Sequence, residues 1–134
     1  MMKLFLKLGS ILLCSLVANT AFAYGSTSSS AHCDRPLFTA FQPAPNKYTQ
    51  SFNEFSIIAS ANTTPSSVVV HVSVGENKFE FTAKDLTIVP LKNGHLEIKG
   101  KMNRPVENGF ARISVTAHSK PGCERTDGVL IRIY

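Results

Sequence analysis

The 134-residue sequence has no tryptophan, only three cysteines and only three methionines. A core without tryptophan must be assembled from Val, Ile, Leu and Phe. Acidic residues are also few, nine against fourteen Lys and Arg, and they stand singly along the chain. Paired carboxylates for acid–base chemistry are therefore hard to nominate. The basic residues are scattered too, without a run of adjacent Lys and Arg, so a nucleic-acid footprint is lacking. There is no Gly-rich phosphate loop and no Gly-x-Ser-x-Gly elbow, and a nucleophilic serine or cysteine would need a base beside it. These absences argue against an enzyme. One apolar run exists, Leu8 to Ala18, and it is shorter than the roughly 20 residues of a membrane-spanning helix.

That run belongs to a secretory signal. Lys3 and Lys7 precede it, and Ala21-Phe22-Ala23 follows with the small-x-small form of a cleavage site. Residues 1–23 read as a signal peptide, which sends the chain to the periplasm or the extracellular space with no transmembrane segment left after cleavage. Cys14 follows Leu13, where a lipoprotein site would want a small residue. Cleavage takes away two of the fourteen basic residues and none of the nine acids, which leaves a mildly basic mature charge of +3. Residues 24–32, YGSTSSSAH, are small and Ser-rich and read as a flexible arm. Residues 33–134 form one domain by size.

Cys14 departs with the signal, and Cys33 and Cys123 remain near opposite ends of the domain. An exported protein with two cysteines most simply pairs them. The bond would close a loop of about 90 residues, for which the chain-entropy model gives about 4–5 kcal/mol.

After residue 33 the hydrophobic period is two. Ser66–Val74 places Val68, Val70, Val72 and Val74 on one face, and Ser67, Val69, His71 and Ser73 on the wetter one. Gly75-Glu76-Asn77 reads as a turn into a second strand bearing Phe79 and Phe81, so the pair is a hairpin. Leu96 and Ile98 face inward in the next strand. Phe110–His118 puts Ala111, Ile113, Val115 and Ala117 inward, and the final strand does so with Val129, Ile131 and Ile133. Leu37–Phe41, Glu54–Ser60 and Leu86–Val89 are weaker candidates. No stretch has a capped helical period. The expectation is an all-β, immunoglobulin-like antiparallel sandwich of about seven to eight strands, with a small closed barrel as the alternative.

Two stretches then resemble known domains. FQPAPNKYTQSFNEFSIIAS, Phe41 to Ser60, resembles the opening of bacterial immunoglobulin-like domains, shared by the CopC-like periplasmic copper-binding proteins. VENGFARISVTAHSKPGCERTDGVLIRIY, at the end of the chain, is similar to their closing strands. The resemblance implies a β-sandwich. It also implies copper ligands from an N-terminal histidine and an Asp-Gly-His stretch. Here Asp127-Gly128 is followed by Val129, Tyr24 is the expected N-terminus, and Met102 is the one methionine of the mature chain, so the copper ligand motif is not preserved.

Four histidines are candidate metal ligands: His32, His71, His95 and His118. A zinc or copper site needs three or four converging groups. His71, His95 and His118 lie on the wetter faces of their strands and would meet only if those strands were neighbours. The candidate contact loops are Pro43–Gln50, Met102–Gly109 and Ser119–Asp127. Asn62-Thr63-Thr64 fits a glycosylation sequon, which would matter only in a eukaryotic host. The functional expectation is a non-enzymatic exported module that binds another envelope or extracellular protein and needs no cofactor. The alternative is a periplasmic copper-binding protein.

Overall fold

The strand around His71 has the expected register. Val68, Val70 and Val72 are fully buried, while the His71 side chain is 49% exposed. The computed structural model describes residues 33–45 and 48–133. The signal peptide, the arm and His32 lie outside the described residues. Asp34–Tyr134 is one compact unit.

Among the described residues there are nine strands where about seven to eight were expected: β1 Phe38–Gln42, β2 Tyr48–Thr49, β3 Phe52–Ala59, β4 Val69–Val74, β5 Asn77–Thr82, β6 Thr87–Pro90, β7 Leu96–Val106, β8 Gly109–His118 and β9 Glu124–Ile133. They make two sheets, in the orders β1-β3-β7-β6 and β2-β9-β8-β4-β5. All pairs are antiparallel except β2 with β9, which is parallel. Strand β2 lies in a segment read from the sequence as a loop, because two residues are too short to show a period. Among the described residues no helix is long and apolar enough to cross a membrane.

The inward residues of both sheets form one β-sandwich core. Ile57 and Ile98 come from one sheet, and Val70, Val72, Ile113, Val115 and Ile131 from the other; all are fully buried. The expected hairpin is β4–β5, closed by Gly75 and Glu76, with Gly75 at φ +60° in the region that favours glycine. The sequence placed the start of this strand too early. Pro65–Ser67 is a 3-10 turn, and the strand begins at Val69. One candidate contact loop is mostly strand, because β7 runs through Met102 to Val106, and the end of another is strand, because β9 starts at Glu124. Charged and polar residues had hidden the period there, since only one face of each segment is apolar.

The N-terminal segment is stitched to the end of the sandwich. Cys33 and Cys123 are disulfide-bonded, as their count implied. Leu37 and Ser60 are joined twice: the Ser60 N–H donates to Leu37 O at 2.9 Å, and the Leu37 N–H donates to the Ser60 side-chain Oγ at 2.9 Å. The Arg125 guanidinium donates to Pro36 O at 2.7 Å. Asn62, the sequon residue, donates through Nδ2 to Asp34 O at 2.9 Å, so its side chain has a structural task.

Candidate functional site

The two ends of the sandwich differ in chemistry. At one end a connection, residues 60–64, leaves β3 in the first sheet and reaches β8 in the second. It starts beside His95, because Ala59 pairs with Leu96 and the Ala61 Cβ lies 3.6 Å from where a Cβ at Gly94 would stand. It finishes at His118, whose carbonyl accepts the Thr64 N–H at 2.9 Å. Ser67 Oγ accepts the His118 N–H at 3.0 Å and donates to Thr64 O at 2.7 Å. Thr64 Oγ1 donates to Ser119 O at 3.0 Å. The backbone at this end is thus well paired.

Three side-chain atoms there are not. Thr63 Oγ1, His95 Nδ1 and His118 Nδ1 are buried with no hydrogen-bond partner among the described residues. Buried polar atoms are nearly always paired, because leaving one unpaired costs about 1–3 kcal/mol. Thr63 is only 5% exposed, so water does not reach it freely. The three belong to elements of both sheets and to the connection between them. An imidazole nitrogen that carries no proton can accept a hydrogen bond or bind a metal ion.

The three described histidines, His71, His95 and His118, do not all converge. His71 stands mid-strand on β4, opposite Ser114 of β8 and four residues along that strand from His118. Its Nε2 lies 3.7 Å from Glu80 Oε1, an exposed contact on the outer face. His95 directly precedes β7 of the other sheet. Among the described residues no group of three or more His, Cys, Asp or Glu side chains could hold a metal. His32 lies outside the described residues and precedes Cys33 in the chain.

The other end has an apolar cleft that sequence reasoning did not find. The strand β6 pairs with β7 only from Leu96 to Lys99. Beyond Lys99 the β6 side of β7 has no strand, and β5 is the last strand of the facing sheet. Between them lies a cleft of about 460 Å³, lined by Val74, Phe79, Met102 and Val106 with Arg104 and Glu107 at its polar rim. A second hollow of about 510 Å³ shares Phe79, Met102 and Asn103 with it and continues toward Lys78, Phe81 and Asp85. Phe79 is 41% exposed, although its strand neighbour Phe81 packs edge-on against Phe55 at 5.2 Å. The signal was present as two phenylalanines on one face, but a strand's place at the sheet edge is not a local property.

Asp85 caps the 3-10 turn Ala83–Asp85 that leads from β5 to β6. Its Oδ2 accepts the Thr82 N–H at 2.9 Å and the Thr82 hydroxyl at 3.0 Å. The backbone bond from Thr82, then its hydroxyl, hold the carboxyl below the usual carboxylate value, with Lys84 adding to the effect.

No protein-family model and no curated protein matches the sequence. A solved structure does: PcoC, a methionine-rich copper resistance protein from Escherichia coli, superposes with a TM-score of 0.51 at 12% identity. The match covers 75% of this chain and 100% of PcoC. At that identity the likeness concerns the fold, and it agrees with the sandwich and with the CopC-like resemblance of the strand pattern.

Proposed function

We propose that this chain is an exported, non-catalytic sandwich of the periplasm that binds copper, or another ion preferring imidazole, at the end where His95 and His118 meet the connection 60–64. The observation that carries this reading is the pair of buried, unpartnered Nδ1 atoms at one end of a PcoC-like fold. The donor set is imidazole and not thioether. Met102 is 5% exposed and stands alone as a methionine of the mature chain, so a methionine-rich copper(I) site does not fit. Copper(II) and zinc both accept imidazole. Two imidazoles fall short of a full coordination set, and His32 is the histidine that remains for it. His71 takes no part in this reading.

The test is a copper(II) and zinc titration of the oxidised protein from Tyr24 onward, following the imidazoles by NMR. Saturation at one equivalent, with His95 and His118 perturbed together and the effect lost in His118→Ala, supports the reading. A chain whose imidazoles do not respond, or respond only at His71, removes it. A second reading, an envelope protein-binding module, is supported by the apolar cleft beside Phe79 and would then stand first.

A further inference from the structure

The sandwich has four strand edges: β1 and β6 in one sheet, β2 and β5 in the other. An unpaired edge is a template for another strand, and folded proteins blunt it with bulges, proline or shortness. Three of these edges are blunted. The register of β1 breaks between Thr39 and Gln42, and Ala40 holds φ +51°. The strand β2 has two residues. The strand β6 has four and ends at Pro90, which has no N–H to donate. By contrast, β5 has six residues without Gly or Pro, and all six pair with β4 in unbroken register. It also carries Phe79, which is left exposed.

The residue order on β5 is self-complementary. Directly opposed residues of two antiparallel strands share a face. With a two-fold axis at Phe79, residue 78 of one copy stands opposite residue 80 of the other. Lys78 then meets Glu80 twice on the outer face, and the two Phe79 rings meet on the inner face beside the cleft. An axis at residue 78 or 80 would set like charges against each other, which is unfavourable. Among the described residues Lys78 has no ion-pair partner within its own chain, and Glu80 has only the exposed contact with His71.

We propose that two copies of this chain pair through β5, antiparallel and centred on Phe79, so that their two five-stranded sheets become one continuous sheet. Such an interface is isologous and closes on itself, so it stops at the dimer. It buries the long unblunted edge and covers the exposed ring. This inference shares no residue with the metal reading, so the failure of one leaves the other intact.

The experiment is sedimentation equilibrium of the oxidised protein from Tyr24 onward, over a wide concentration range, at low and high salt. The wild-type chain is expected to form a reversible dimer. Glu80→Lys, which sets Lys against Lys78 at two symmetric positions, is expected to lower the association constant about tenfold or more. The double variant Lys78→Glu/Glu80→Lys exchanges the charges and is expected to recover dimerisation. Its recovery also shows that the single variant had not simply unfolded. A wild-type chain that stays monomeric throughout overturns the proposal and leaves the edge to a strand from a different protein. A Glu80→Lys chain that dimerises like wild type, or a double variant that does not recover, overturns it as well.

Discussion

Phe55 and Gly100 stand directly opposite each other on β3 and β7, and the phenyl ring fills the space that a side chain at residue 100 would need. A Cβ built there would come within 2.7 Å of Phe55 Cε2 and 2.8 Å of Cε1, and closer still to Cζ. The ring cannot easily withdraw, because it is 2% exposed and packs against Phe81 in a T-shaped pair. Lack of a side chain is what position 100 contributes. Gly100→Ala is expected to destabilise the domain by about 1–3 kcal/mol through overpacking. Urea unfolding of the two proteins checks it, and equal midpoints would show that the ring has room to swing.

The disulfide ties Cys33, at the head of the domain, to the turn between β8 and β9. Removing a native disulfide from a small exported domain costs about 2–5 kcal/mol. The double variant Cys33→Ala/Cys123→Ala is expected to lose stability in that range. The hydrogen bonds of Leu37 with Ser60 and of Arg125 with Pro36 predict that the loss is graded. Amide exchange should accelerate first in residues 34–37 and 60–64, and uniform acceleration across β4 and β8 would contradict this.

Thr63 carries a buried hydroxyl with no partner. Deleting an unpaired buried polar group while keeping its shape relieves a penalty of about 1–3 kcal/mol. Thr63→Val is therefore expected to raise stability, by about 1 kcal/mol, in calorimetry of the metal-free protein. A loss of stability would mean that a bound group satisfies the hydroxyl.

The carboxyl of Asp85 is held below its ordinary value, first by the Thr82 N–H and then by the Thr82 hydroxyl. A group whose folded value is depressed contributes stability above its unfolded value, and that contribution fades as pH falls through the folded value. Carbon-detected NMR should give an Asp85 midpoint below the ordinary aspartate value of 3.8. In Asp85→Asn the acid-side loss of stability should be smaller than in wild type. A midpoint at or above 3.8 would show that the Thr82 contacts do not persist in solution.

Local sequence determined the strands with strict alternation. Val68, Val70 and Val72 point to the core and His71 to solvent because side chains alternate by geometry, whatever the strand packs against. The same holds for Ala111, Ile113 and Val115. The disulfide was legible as well, since a chain read as exported with two cysteines leaves few alternatives. Strand β2 and the outer part of β7 were not legible, because their membership depends on a partner strand far along the chain.

The tertiary structure alone decided which side chains meet. His71, His95 and His118, each read onto the wetter face of its strand, looked equivalent in the sequence. Register set His71 apart from His118, and the crossing of residues 60–64 brought the His95 and His118 ends of the two sheets into one region. Exposure of Phe79 was likewise decided by sheet order, which leaves β5 at the rim while Phe81, two residues on, reaches Phe55. The periodicity of a strand is a local property of covalent geometry, whereas its neighbours are set by long-range pairing, and a site is made of neighbours.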